Sequence, residues 1–419
     1  MPDRRAFLKW AGALPLFATI AASALRRNAA AAVAKPGADI YTRIGVRPFI
    51  NARGTWTYLS GSLELPEVRA AKQEAARHFV DIFELQRAAG KRLAELSGAE
   101  SGMVTSGAAG AMASATAACM AGADPARIWQ LPDTTGMKNE VIMSGGRSAF
   151  DSAIRLTGAK LIVAQTLDDV ERAIGPSTAM IYTTSLGEKL QQTIALAKRR
   201  NVPLLLDDAA GIPPIENLRT YAKMGVDLYC FSGGKGLAGP QCSGLLLGRK
   251  DLIEAALANT SPWEGAVCRA MKVGKEEVMG CLAAVEAWAR LDLAALNRTW
   301  EQRVKRIATL VETVPGVTTS IQIPEGGNRY PTLTVQWDEQ AWHFTVADCD
   351  RALREGTPRI EVLTASNPSL VPAVLGRDPK TPAHNRLQII SVTMQPGEEL
   401  IVGRRLREIL AAARKHARV

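Results

Sequence analysis

Residues 204–248 read LLLDDAAGIPPIENLRTYAKMGVDLYCFSGGKGLAGPQCSGLLLG, two apolar runs that each end in a distinctive polar group. The first run, Leu204 to Leu206, ends in Asp207-Asp208. A helix-length segment separates it from Leu228 to Phe231, which ends in Ser232-Gly233-Gly234-Lys235-Gly236. Short apolar runs joined by a helix are the mark of a βαβ unit. An acid at one strand end and a glycine-flanked lysine at the next suit a pyridoxal 5'-phosphate site. The lysine amine can bond to the cofactor's aldehyde, and the carboxylate can keep the pyridine nitrogen protonated. Taken alone, SGGKG fits an ordinary loop lysine as well.

The flanking sequence supports the cofactor site. From Glu140 onward strands and helices alternate: EVIMS, KLIVA, TAMIYTT, VPLLLDD and LYCFS, with helix-like segments between them and SGLLLGR as one strand more. This beat predicts an α/β fold with a mostly parallel central sheet covered on both faces. Upstream, Leu65 to Glu100 has helical periodicity, with Phe79, Ile82, Leu85, Leu93 and Leu96 as its apolar face and His78 beside it. Ser101 to Gly110 then reads as a short strand breaking into small residues, followed by a helix of Ala, Ser, Thr and Met. Such a turn exposes backbone N–H groups at the positive end of a helix, a phosphate site in principle. Ser106, Asp207 and Lys235 all fall at strand carboxyl ends, where open α/β sheets collect ligands. Residues 291–419 change character and predict a smaller C-terminal α+β domain. The expected organisation is thus a signal in 1–34, an arm and helix in 35–90, a large domain in 91–290 and the small domain in 291–419.

The bulk numbers exclude little but exclude it firmly. A chain of 419 residues with 47% hydrophobic residues is a globular protein of more than one small domain. Arg4, Arg5, Lys9, Arg26 and Arg27 against Asp3 account for +4 of the net charge of +10. What remains is compatible with a small anionic substrate and is a weak argument for nucleic acid, so no nucleic-acid partner is expected. The six cysteines and four histidines show no metal-ligand spacing. Cys230 and Cys242 flank the lysine loop, which leaves a disulfide between them open.

The N-terminus reads as an export label. Asp3-Arg4-Arg5-Ala6-Phe7-Leu8-Lys9 is a twin-arginine pattern, followed by an apolar run and by Ala32-Val33-Ala34, an A-x-A type cleavage site. The run is broken by Gly and Pro and is shorter than a membrane span requires, so no stable membrane insertion is expected. The expected partner is the twin-arginine export machinery and the expected destination the periplasm.

Several blocks in order resemble the selenocysteine synthase-like branch of fold-type I pyridoxal phosphate enzymes. That branch includes seryl-tRNA(Sec) selenium transferase and the D-glucosaminate-6-phosphate ammonia-lyase group. The blocks are Phe49-Ile50-Asn51-Ala52-Arg53-Gly54-Thr55, Glu84-Leu85-Gln86, Val104-Thr105-Ser106-Gly107-Ala108-Ala109 and Met137-Lys138-Asn139-Glu140. They continue with Asp207-Asp208-Ala209-Ala210, Phe231 to Leu237, Met271-Lys272-Val273-Gly274-Lys275-Glu276 and Pro358-Arg359-Ile360. The resemblance implies the fold-type I transferase fold and roles position by position. Lys235 would attach the cofactor and act as base. Asp207, rather than Asp208, would face the pyridine nitrogen, with Ala209 on the ring face. Ser106, Gly107, Ala108 and Ser232 would hold the phosphate. Arg269, Lys272 and Arg359 would bind substrate anions, across the interface of a homodimer or higher homo-oligomer. One stretch departs from the family: Gly145-Gly146-Arg147-Ser148-Ala149-Phe150 stands where lyase-like relatives carry a histidine and a tyrosine. With Gly146 and Phe150 in those places, a ring-proximal acid–base group is missing.

The expected function is therefore an exported lyase acting at the α-carbon of a small amino acid or amino sugar acid, by α,β-elimination that releases ammonia. A selenium transferase is one alternative. It would need a charged tRNA, which an exported protein does not meet, and an additional N-terminal RNA-binding module, for which about 50 residues between the signal and the cofactor domain leave no room. A non-catalytic pyridoxal phosphate-binding protein is the other, suggested by the altered 145–150 segment.

Overall fold

The computed structural model describes residues 39–324, 329–364 and 386–417. The chain divides at Phe49. Residues 39–49 carry one 3-10 turn, Thr42–Ile44, while Ile50–Val419 forms one compact unit. Arg4, Arg5 and the rest of the twin-arginine segment lie outside the described residues.

Seven strands make the main sheet: β1 (Ser101–Thr105), β2 (Glu140–Ser144), β3 (Lys160–Ala164), β4 (Thr178–Thr183), β5 (Leu204–Asp207), β6 (Leu228–Ser232) and β7 (Gly244–Gly248). Their spatial order is β1-β7-β6-β5-β4-β2-β3. β3, β2, β4, β5 and β6 pair in parallel, whereas β7 runs antiparallel to both β6 and β1. Parallel neighbours need a helical crossover, and the 233–243 connection contains none, so β7 has to return antiparallel. The reversal matters for the site. The carboxyl ends of β1, β5 and β6 share one edge of the sheet, and the start of β7 comes to that same edge, Gly244 standing in register with both Thr105 and Ser232.

Both faces of the sheet are covered across its central strands, which is why these are apolar rather than alternating, whereas Lys160 and Val163 of the edge strand β3 are exposed. Leu204, Leu206, Tyr229 and Phe231 point into one core, and Leu205, Leu228 and Cys230 into the other. Helices α1 (Pro66–Ala75) and α2 (Ile82–Ser97) belong to the first side, and α3 (Gly107–Ala121) to the second. The continuous helix expected over Leu65 to Glu100 is instead two. The Asp81 carboxylate accepts the Glu84 N–H at 3.0 Å and starts a fresh helix, a capping interaction of about 1 kcal/mol. Gly98 at φ +72° then stops it. Phe79, counted into the apolar stripe, falls in the break and is fully exposed, and exposed His78 lies within 3.1 Å of Glu74. α3 is buried nearly all round, so it needs no polar face. The hydroxyls of Ser114 and Thr116 donate back to the Gly110 and Met112 carbonyls at 2.7 Å.

The C-terminal part builds a third core. Strands β8 (Thr318–Gln322), β9 (Thr332–Gln336) and β11 (Leu387–Ile390) pair antiparallel in the order β11-β9-β8, with β10 (Arg359–Val362) nearby in the same core. Ile50 and Ala52, read from sequence as part of the N-terminal arm, are buried in this core, whereas Trp300, Tyr330 and Ile390 reach into the core of the main sheet. Among the described residues no helix is long and apolar enough to cross a membrane.

Candidate active site

A cleft of ≈ 540 Å³ opens at the edge where the strands end. Ser106, Gly107 and Ala108 line it from the end of β1, Asp207, Asp208 and Ala209 from β5, and Ser232 and Lys235 from β6.

Lys235 sits in a turn that only glycines allow. The Gly233 N–H donates to the Ser243 carbonyl, and the Gly239 N–H to the Gly233 carbonyl, both at 2.8 Å. A Cβ on Gly236 would stand 2.0 Å from the Ile212 carbonyl oxygen and 2.2 Å from the Tyr330 hydroxyl. The segment 57–62 is sewn onto this turn, Ser62 N–H donating to the Gly234 carbonyl at 3.0 Å and Gln241 Nε2 to the Thr57 carbonyl at 2.8 Å. Burial pushes the Lys235 amine below its ordinary value, against the opposing pull of Asp207, Cys230 and Asp208. Its Nζ lies 5.9 Å from the centroid of the Phe150 ring.

Asp207 accepts the Tyr182 phenol on Oδ2 at 2.8 Å and the Ala209 N–H on Oδ1 at 3.2 Å, with Cys230 Sγ 3.7 Å from Oδ1. Asp208 accepts the Tyr221 phenol at 2.6 Å; burial nonetheless raises it above the usual carboxylate range. Opposite these acids, Ser106 makes no side-chain cap on α3, and Gly107 has φ +70° with open space where a Cβ would be. The first N–H groups of α3 therefore face the cleft at the positive end of a buried helix, a cradle for a phosphate.

The 145–150 segment adds Ser148 and Phe150 to the wall, beside Thr184 and Leu186. Gly146 is not part of the lining; a Cβ there would meet Gln165. Phe150 does line the cleft, with its ring more than half exposed. Asp151, almost wholly buried, holds the segment by ion pairs to Arg147 and to Arg155, the latter at 3.2 Å. Burial works against its charge, but the two guanidiniums keep its carboxyl below the ordinary range.

Residues 157–352 match the model of the aminotransferase class-V family. A 5'-C-glycyluridine monooxygenase-decarboxylase from Streptomyces sp is 31% identical over 339 residues, covering 76% of this chain and 83% of the relative. The chain belongs to the class-V aminotransferase family of pyridoxal phosphate enzymes. A D-glucosaminate-6-phosphate ammonia lyase of Salmonella typhimurium (strain 14028s / SGSC 2262) is 29% identical over 84% of this chain and 96% of its own length. A solved structure of D-glucosaminate-6-phosphate ammonia-lyase superposes with a TM-score of 0.75 at 27% identity, covering 90% of this chain and all of that one. L-seryl-tRNA(Sec) selenium transferase of Moorella thermoacetica is 28% identical over 65% of this chain and 60% of its own length. The fold is the fold-type I fold expected from sequence.

For a class-V pyridoxal phosphate enzyme the residues fit the cofactor. A half-buried lysine, a buried carboxylate with its own donors and an uncapped helix N-terminus converge on one cleft large enough for the ring and phosphate. Ser106, Gly107, Ala108, Asp207, Ala209, Ser232 and Lys235 are brought together there. Arg269, Lys272 and Arg359 are not; they stand outside the lining of their own chain's cleft. Arg359 pairs with Glu361, Nε to Oε1 at 2.9 Å, and Arg354 Nε approaches the same oxygen at 3.3 Å. Cys230 and Cys242 are both free thiols, the first turned toward Asp207 and the second lining the cleft, so the disulfide left open by the sequence is not formed. Sequence reasoning missed Tyr182, Ser148 and Met112 in the lining. The signal for Tyr182 was present: a phenol next to the last residue of a strand that pairs directly with the strand carrying Asp207.

Proposed function

We propose that this protein is an exported pyridoxal phosphate-dependent lyase that eliminates across the α and β carbons of a small anionic amino acid or amino sugar acid. The observation that carries the reading is Lys235, an amine shifted toward its neutral form by burial, held by glycines at the end of β6 with Asp207 at the end of the neighbouring strand. When bound, the cofactor supplies an electron sink for charge developing at the substrate α-carbon. In this reading Lys235 holds the cofactor in the resting enzyme, then takes the α-proton as a base. Asp207 faces the ring nitrogen, Ala209 packs on the ring, and Ser106, Gly107, Ala108 and Ser232 hold the phosphate. Arg269, Lys272 and Arg359 bind substrate anions across a homodimer interface. Phe150 lines the cleft beside Lys235 and offers no proton. A hydroxy-amino acid would lose its β-hydroxyl as water, take up one water again, and leave as a keto acid plus ammonia.

A second reading is oxygen-consuming decarboxylation, supported by the name of the Streptomyces relative and by a phenyl ring, rather than an acid–base group, beside Lys235. One assay separates the two. The purified, cofactor-loaded protein is incubated with hydroxy-amino acids and amino sugar acids, with and without oxygen. Equal amounts of keto acid and ammonia without oxygen are the expected result. Carbon dioxide release that requires oxygen would replace the lyase reading with the second one, and no product from any of these compounds would sink the lyase reading.

Export rests on the Arg4-Arg5 pattern and the A-x-A site before Lys35. Changing Arg4 and Arg5 to lysine is expected to retain a fused reporter in the cytoplasm. Unchanged periplasmic yield would remove the export proposal.

A further inference from the structure

Asp207 and Asp208 are adjacent and buried, and each accepts a phenol from its own buried tyrosine. Both carboxylates line the cleft, but the two tyrosines lie on opposite faces of the sheet. Tyr182, near the end of β4, belongs to the core on the α3 side and lines the cleft. Tyr221, on the helix Asn217–Met224, stacks on Phe231 at 6.0 Å in the core of the other face and has no place in the cleft lining. A carboxylate free to rotate would present either oxygen, or neither, to a ring nitrogen. Asp207 is not free: Tyr182 donates to Oδ2, while the Ala209 N–H and the Cys230 thiol address Oδ1. Burial and the nearby Asp207 charge raise both the Tyr182 phenol and the Cys230 thiol, so each stays protonated and serves as a donor.

We propose that Tyr182 is a positioning residue that fixes the plane of the Asp207 carboxylate toward the cofactor's ring nitrogen. This rests on the reading that Asp207 is the acid facing that nitrogen. The alternation of side chains along β5 sends the two acids to opposite faces, and the Tyr182 phenol then fixes the orientation of the one that serves the cofactor.

The test compares wild type, Tyr182→Phe, Tyr221→Phe and Asp207→Asn, each titrated with pyridoxal phosphate. The dissociation constant and the visible absorbance of the bound cofactor are measured, and thermal unfolding of the cofactor-free forms is followed alongside. Tyr182→Phe is expected to bind about tenfold more weakly, the cost of one lost hydrogen bond to a charged group. Its absorbance should move in the same direction as that of Asp207→Asn, by less. Tyr221→Phe should keep the wild-type spectrum. A fluorinated tyrosine incorporated at position 182, a stronger donor of the same shape, should move the band the opposite way, which keeps the proposal testable where the phenylalanine variant folds poorly. A Tyr182→Phe protein with wild-type affinity and spectrum, beside an altered Asp207→Asn, would overturn the positioning role alone. An Asp207→Asn protein indistinguishable from wild type would overturn the reading of Asp207, and the proposal with it.

Discussion

Lys235→Ala protein is expected to fold, to lose the absorbance of attached cofactor, and to turn over at least about 10³-fold more slowly, in the range that removal of a positioned general base costs. The attachment and the proton transfer both depend on this amine in the proposed mechanism, and no other lysine among the described residues lines the cleft. A colourless wild type, or a variant that keeps the cofactor's absorbance, would overturn the assignment. The same side chain has a second signature, in stability. Burial lowers the amine in the folded protein, so between that lowered value and its ordinary value of 10.5 the folded state binds fewer protons than the unfolded one. Below both values, each state carries the ammonium and the folded state bears the full cost of burying it. Above both, that cost is gone. The cofactor-free wild type should therefore gain stability as pH rises toward 10.5 relative to Lys235→Met. Thermal unfolding of the two cofactor-free proteins at neutral and at alkaline pH measures this: the difference should move in favour of wild type as pH rises, and a difference that stays constant would show that the amine is not desolvated.

The acids and the lysine were legible because their signals are local. An apolar run ending in Asp207, and another ending in a glycine-flanked Lys235, place their side chains at strand ends whatever the strand order. The small residues after Thr105 mark a helix start in the same way. Other features depend on where distant elements meet. Helical periodicity continued across residues 76–81 although Asp81 caps a new helix there, because an apolar count does not register a competing backbone hydrogen bond. The Tyr182–Asp207 bond joins strands 25 residues apart, and only their parallel register makes it. Gly146 and Phe150 looked equivalent as departures from the family pattern. The Asp151 ion pairs and the two left-handed glycines at φ +96° and +105° send one toward Gln165 and the other over Lys235. Arg269, Lys272 and Arg359 illustrate the remaining limit: basic residues near a motif do not say which cleft they serve.

The strand order also exposes a position whose replacement should be nearly as damaging as loss of the lysine. Gly244 opens β7, the antiparallel strand wedged between β1 and β6, opposite Thr105 on one side and Ser232 on the other. A Cβ there would stand 2.4 Å from the Gly107 carbonyl carbon and 2.7 Å from the Ala108 nitrogen. Both atoms are backbone at the first turn of α3, so no side-chain rotation relieves the contact. α3 in turn is packed on nearly every side and cannot withdraw without opening the core beneath it. Gly244→Ala must therefore push the phosphate cradle out of line. The expected cost is about 2 kcal/mol of stability, as for other overpacked interiors. Cofactor affinity should fall about 100-fold if the displaced N–H groups lose two charge-assisted hydrogen bonds. Gly107→Ala is the informative comparison. Its φ of +70° strains any side chain, yet among the described residues no atom outside its chain neighbours and its own helix turn lies within 4 Å of the new methyl. It should cost about 1 kcal/mol of backbone strain and far less cofactor affinity. Pyridoxal phosphate titration and thermal unfolding of both variants decide the matter: equal affinities would mean that the close approach of β7 to α3 does not shape the cradle.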